Sequence, residues 1–115
     1  MYDNDNIENR IMIVKTFDAK VDNFIKSLEK STGTKIAHHI DLLVRFGNQL
    51  RMPYGKSLGD NLFELRVRGQ QEIRIFYAFY QDQAVLLHGF IKKTQKTPRR
   101  EVEIALAKLN TLTSV

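Results

Sequence analysis

The stretch that decides the fold is LFELRVRGQQEIRIFYAFYQDQAVLLHGFIKK, residues 62–93. Apolar and polar residues alternate along three segments of it, Leu62–Arg68, Glu72–Tyr80 and Ala84–Lys93, as they do in half-buried β-strands. The linkers GQQ and QDQ are short enough to close antiparallel hairpins. We therefore predict a three-stranded antiparallel meander.

The length of the linkers also predicts the register of the strands. Three-residue loops at 69–71 and 81–83 pair Arg66 with Arg74 and Phe76 with His88, which keeps matching faces together. One face is then polar and the other apolar. The polar face is expected to hold Glu64, Arg66, Arg68, Glu72, Arg74, His88, Phe90 and Lys92, with Phe76 and Phe90 exposed beside the arginines. The apolar face, with Phe63, Leu65, Ile73, Ile75, Val85 and Leu87, is expected to be covered by helices.

The segments that flank the meander predict one strand and three helices. Ile11–Phe17 is rich in β-branched residues and predicts a first strand. An apolar stripe at helical spacing follows Asp18, which is a suitable N-cap, and Gly33 is expected to end that helix. Thr34 is expected to cap a second helix that runs to residue 50, and residues 51–61 are expected to form a loop.

Pro98 sits at a favourable starting position for the last amphipathic helix. The fold class is therefore α+β, in the order β-α-α-β-β-β-α. We expect residues 1–10 to form a loose tail and residues 11–115 to form a single domain, because no internal repeat or second composition is visible.

Composition and charge restrict the function. The 115 residues include 18 Lys and Arg against 13 Asp and Glu, and residues 92–100 carry five basic groups and no acidic one. Such a stretch attracts polyanions, although a solvated basic surface without a ligand has the same composition. The chain lacks cysteine, a segment long enough to span a bilayer and a signal peptide, which predicts a cytoplasmic protein. No P-loop or metal-binding pattern is present, and His38 and His39 are adjacent rather than spaced as helical metal ligands, so we expect no cofactor and no metal.

The two stretches LFELRVRGQQEIRIFYAF and LLHGFIKKTQKTPRREVEIA resemble the phage-derived HigB-like branch of the RelE toxin superfamily. The similarity covers residues 56–105, beginning at Lys56-x-Leu58, and its most specific part is HGFIKKTQKTP, His88–Pro98. The resemblance implies a RelE-like fold and a toxin that cleaves mRNA in the ribosomal A site. It also implies a cognate antitoxin, usually a helix-turn-helix protein. The toxin would reach operator DNA only through this antitoxin.

A metal-free ribonuclease needs groups that stabilise phosphorane charge and transfer protons. Arginine guanidinium groups fork onto phosphate oxygens, and histidine titrates near neutrality. A lysine, Tyr77 or Tyr80 could replace the histidine in proton transfer. The expected catalytic set is Arg66, Arg74, His88, Lys92 and Lys96. The expected RNA-binding set is Lys56, Arg68, Phe90, Lys93, Arg99 and Arg100.

Other interpretations remain open at this point. The charged strand residues could be cross-strand ion pairs on a solvated sheet face. ParE-like toxins share the superfamily fold but act on DNA gyrase, and they tend to lack the basic set that this chain keeps. An RNA-binding module without cleavage would also be basic.

Overall fold

A computed structural model describes residues 12–114, so the predicted tail at 1–10 and the predicted strand residue Ile11 lie outside the described residues. The elements are β1 (Ile13–Thr16), α1 (Ala19–Ser27), α2 (Lys30–Phe46), β2 (Gly55–Gly59), β3 (Leu62–Val67), β4 (Ile73–Tyr80), β5 (Gln83–Ile91) and α3 (Arg99–Thr113). A short 3₁₀ turn, Gly47–Gln49, follows α2. The predicted α+β class is confirmed.

The five strands form one sheet in the order β1-β5-β4-β3-β2. The meander β3-β4-β5 is antiparallel, and the predicted pairs Arg66 with Arg74 and Phe76 with His88 are confirmed. The first strand pairs in parallel with β5, so the sheet is mixed rather than purely antiparallel. Strand β2 lies where we predicted only loop, and it pairs antiparallel with β3.

Helices α1 and α2 form a helical hairpin, and the boundary between them lies earlier in the chain than predicted. Helix α1 ends at Ser27 and α2 begins at Lys30, with Glu29 as its N-cap residue. The expectations that Gly33 ends the first helix and that Thr34 caps the second are wrong. Both lie inside α2, where the hydroxyl of Thr34 donates to the carbonyl of Lys30. The cap at Asp18 is confirmed, since its carboxylate accepts from Val21 N at 3.0 Å.

Helices cover both faces of the sheet, whereas we expected them all on one face. One core cluster packs α1 and α2 against Leu65, Ile75 and Tyr77. The other packs α3, through Ala105 and Leu109, against Phe76 and its neighbours. The second face is therefore divided, with an apolar half under α3 and a polar half beside it.

The predicted three-residue loop at 81–83 is wrong, because Tyr80 pairs with Gln83 across a two-residue turn and a bulge then follows in the β4-β5 ladder. Val85 and Leu87 consequently lie on the face opposite to the one predicted.

The register shifts between Phe76, which pairs with His88, and Tyr77, which pairs with Leu86. One extra residue in β5 reverses the alternation beyond that point. Val85 and Leu87 consequently pack under α3, and Leu86 packs under the helical hairpin.

Within residues 12–114, no helix has the length and apolar character needed to cross a membrane.

Candidate functional site

An open pocket of about 540 Å³ lies on the polar half of the second sheet face. Its floor comes from β2, β3 and β4, and the connector after β5 forms one wall. The charged side chains around it are Lys56, Glu64, Arg66, Arg68, Glu72, Arg74, Lys92 and Lys96, which are six cations and two carboxylates. We call this the cationic pocket. Its excess positive charge favours an anionic ligand.

The centre of the cationic pocket is the pair Arg66 and Arg74, which are direct partners across β3 and β4. Directly opposed residues in an antiparallel pair have Cβ atoms about 4.5–5.5 Å apart. Cationic side chains carried on residues this close repel each other unless anions lie nearby. The carboxylates of Glu64 and Glu72 supply that charge, at 3.1 Å from Arg66 Nε and 3.4 Å from Arg74 Nη2.

The two arginines have different environments. Arg74 is 3% exposed, and its terminal nitrogens donate to the carbonyl of Ile73 at 3.2 Å and to Glu72. Its Nε atom is buried and has no hydrogen-bond partner among residues 12–114. Arg66 is more exposed, and among residues 12–114 only its Nε is engaged, by Glu64. Arg66 is therefore the guanidinium that offers its terminal nitrogens to a ligand.

Glu64 joins the floor of the cationic pocket to its wall. It is 2% exposed, and while one oxygen accepts from Arg66, the other accepts from the hydroxyl of Thr97 at 3.0 Å. The sequence predicts Glu64 on the polar face of the sheet, where cross-strand ion pairs were one interpretation of the charged residues. Its bond to Thr97 was not foreseen, because nothing in the spacing of residues 92–98 shows how the connector folds back.

The connector after β5 is shaped by its own side chains. Lys92 Nζ donates to the carbonyls of Thr94 and Gln95, each at 2.6 Å, and the Thr94 hydroxyl donates to the carbonyl of Lys96 at 2.7 Å. These bonds occupy Lys92 with structural contacts. Lys96 is exposed at the edge of the cationic pocket, and its amino group makes no hydrogen bond or ion pair among residues 12–114.

The structure places His88 outside the cationic pocket, so the expectation that it shares the site with the arginines is wrong. Phe76 and Phe90 stack with each other and with the His88 ring, at centroid distances of 5.8–6.4 Å. His88 Nε2 instead lies 2.6 Å from Glu101 Oε1 on α3. It lines a different, smaller pocket.

The expected exposure of Phe76 and Phe90 is also wrong. Phe76 is fully buried and Phe90 is 7% exposed, because α3 packs over both rings. An RNA base cannot stack on a ring that is already covered, so base stacking no longer supports a role for Phe90 in RNA binding. Tyr77 is buried in the core on the other face of the sheet, and burial raises its pKa to about 12. Tyr80 packs against the apolar cluster under α3 and is likewise absent from the cationic pocket.

The remaining basic residues lie at different distances from the arginine pair. Lys56 and Arg68 line the cationic pocket, and their contact with RNA is a prediction. Lys93 is exposed but does not line it, and neither do Arg99 and Arg100 in the first turn of α3. Their contact with RNA stays a prediction. Within residues 12–114, no group of His, Cys, Asp and Glu side chains is arranged to hold a metal ion.

Comparison with known proteins gives the family. No curated protein matches the chain. The family described as "Phage derived protein Gp49-like" matches residues 23–110, which span α1 to α3 and include the whole cationic pocket. That family is associated with toxin–antitoxin systems and has a RelE-like fold. This chain belongs to the phage-derived Gp49-like family.

Proposed function

We propose that this chain is the toxin of a type II toxin–antitoxin pair and that it cleaves mRNA on the ribosome. The observation that carries the proposal is the direct pairing of Arg66 with Arg74 in a cationic pocket that also receives Lys96. Two arginines and a neighbouring lysine repel one another in the free protein. The dianionic phosphorane formed during RNA cleavage would neutralise their charge, so the arrangement favours the transition state. Family membership supports an antitoxin partner.

The reaction we propose needs no external nucleophile. The substrate's 2′-oxygen attacks the adjacent phosphorus and passes its proton to solvent water, and the bond to the 5′-oxygen breaks as that oxygen gains a proton from the toxin. The products are a 2′,3′-cyclic phosphate and a 5′-hydroxyl. Arg66 would bind the non-bridging oxygens, and the buried Arg74 would add its positive field from below. Because His88 lies elsewhere, Lys96 becomes the candidate donor for the leaving oxygen.

The partner and location follow from the same proposal. The antitoxin would be a helix-turn-helix protein that also binds the operator of its own operon, and the toxin itself would contact DNA only through it. Action on ribosomes requires a cytoplasmic location.

The test is a side-by-side assay of three activities of the purified chain. We expect a 5′-labelled mRNA to be cut only when ribosomes are present, leaving cyclic phosphate ends, and we expect DNA gyrase to supercoil normally. Inhibition of gyrase without mRNA cleavage would favour a ParE-like poison and contradict the proposal. Binding of intact RNA, with a steep dependence on salt and no cleavage, would identify a binding module instead.

A further inference from the structure

The connector between β5 and α3, residues 92–98, is bound to the sheet at both of its ends. At its start, the backbone N–H of Lys92 donates to the carbonyl of Glu72 at 2.7 Å. At its end, the hydroxyl of Thr97 donates to Oε2 of Glu64 at 3.0 Å. These two attachments place the segment between them along the edge of the cationic pocket.

The hydroxyl of Thr97 serves the sheet rather than the helix that follows it. Helix α3 begins at Arg99 with Pro98 as its N-cap residue, and no side-chain hydrogen bond caps it. A threonine at the start of a helix typically accepts from one of the first free amides. Thr97 donates to a carboxylate instead, which the helix does not require, so its bond to Glu64 has to be explained by what it holds in place.

Glu64 is a buried carboxylate whose two oxygens have different partners. It is 2% exposed, and Oε1 accepts from Nε of Arg66 at 3.1 Å while Oε2 accepts from Thr97. Burial of a carboxylate is costly unless it is paired and hydrogen-bonded, so both partners are needed. One carboxyl group therefore fixes both the guanidinium of Arg66 on β3 and the end of the connector that carries Lys96.

We propose that Glu64 and Thr97 are positioning residues, which hold Lys96 and Arg66 where both cations bind the same phosphate group. Neither positioning residue touches that phosphate, because the carboxylate would repel it and the hydroxyl is already engaged. That the phosphate is the scissile group of an mRNA rests on the proposed function. The contribution of Lys96 then depends on the hydroxyl of its chain neighbour.

The first arm of the test measures the binding of inorganic phosphate to the ¹⁵N-labelled full chain at constant ionic strength. The amide resonances of Arg66 and Arg68, which line the cationic pocket, report its occupancy, and we expect saturation at about millimolar phosphate. Lys96→Met removes a charge and Thr97→Val removes a hydroxyl, and each should weaken binding about three- to tenfold. Thr97→Ser keeps the donor and should bind phosphate about as tightly as the wild type.

The decisive comparison is the double variant that combines Lys96→Met with Thr97→Val. If Thr97 acts through Lys96, the double variant loses no more affinity than either single variant, whereas independent contributions multiply. Thr97→Ala, which places no additional methyl group beside the buried carboxylate, should give the same result as Thr97→Val. Multiplied losses, wild-type affinity in Thr97→Val, or a wild type that binds no phosphate would each overturn the proposal.

A matched control removes a threonine hydroxyl elsewhere on the surface. Thr111 is exposed on α3, and its hydroxyl donates to the carbonyl of Ala107 at 3.1 Å. Thr111→Val should bind phosphate like the wild type. The dispersion of the amide resonances shows in the same spectra that each variant is folded.

The second arm uses single-turnover cleavage of mRNA on programmed ribosomes. Thr97→Val should lower the rate at saturating toxin by about tenfold with little change in ribosome affinity, and Thr97→Ser should restore the rate. A Thr97→Val variant that cuts at the wild-type rate would overturn the positioning role.

The two proposals can fail separately, because the phosphate titration involves neither mRNA nor ribosomes. A wild type that leaves mRNA intact on ribosomes refutes the proposed function, and losses of phosphate affinity that do not multiply would still support the positioning role. A wild type that cuts mRNA, together with losses that multiply, refutes the positioning role alone.

Discussion

At the scale of single residues, the cationic pocket assigns different tasks to side chains of the same type. Arg74 is buried and its terminal nitrogens are occupied, whereas Arg66 keeps its terminal nitrogens available. Lys92 holds the connector, whereas Lys96 stands free of such contacts within the described part of the chain. The sequence alone does not distinguish these cations, because their different roles depend on how the connector folds and on the contacts that Glu64 makes.

Alanine substitutions at two glycines are expected to change the stability of the protein in opposite directions. A Cβ atom at Gly89 would lie 2.7 Å from Cε2 of Phe24, so Gly89→Ala should crowd the packing of α1 on β5. We expect a loss of about 1–3 kcal/mol in the free energy of unfolding. Gly33 lies inside α2 with nothing within 4 Å of such a Cβ, so Gly33→Ala should gain up to about 1 kcal/mol. Urea denaturation of both variants measures this, and equal effects would contradict the packing described here.

At the scale of elements, the meander was predictable and its surroundings were not. Alternation and loop length fixed the pairing of Arg66 with Arg74, because a one-residue slip would expose the apolar face. Strand β2 escaped prediction because Gly55, Gly59 and Pro53 carry turn signals, and pairing with β3 overrides them. The bulge could not be predicted from the sequence either, because Leu86 and Leu87 are both apolar and are compatible with either face of the sheet.

The element contact between α1 and α3 predicts a pH dependence. Partial burial works to raise the pKa of Asp18, but the hydrogen bond from Val21 N and the nearby charge of Lys108 outweigh it, so the pKa lies below its usual 3.8. The stabilisation from the ionised carboxylate is therefore present above pH 3.8 and is lost as the pH falls below it. Asp18→Asn keeps a good helix cap but loses the ion pair.

We expect Asp18→Asn to cost about 1 kcal/mol of unfolding free energy at pH 7, where Lys108 is left without its partner. The difference from the wild type should shrink towards zero below pH 3.8. Lys26→Ala serves as a control, because its ion pair with Asp22 at 2.8 Å lies on the solvent side of α1 alone. A difference that does not change between pH 7 and pH 3 would show that Asp18 acts only as a cap.

At the scale of the whole molecule, α3 decides what the second sheet face can do. Because it buries Phe76 and Phe90, it confines the open part of that face to the arginine end, and His88 contacts Glu101 on α3 instead of lining the cationic pocket. The sequence predicted which residues line the pocket floor but not this division, because α3 docks through contacts far apart in the chain. The result is a sheet face with an apolar half under α3 and an open cationic pocket beside it.

The most direct test of the central claim is single-turnover cleavage of mRNA on programmed ribosomes by Arg66→Ala. If Arg66 stabilises the transition state, the cleavage rate at saturating toxin should fall by about 10²–10³ with little change in ribosome affinity. The matched control is Arg45→Ala, which removes an exposed arginine on α2 whose ion-pair contact with Asp41 is long, at 3.8 Å, and which should cut at the wild-type rate. Wild-type cleavage by a folded, ribosome-bound Arg66→Ala variant would contradict the account.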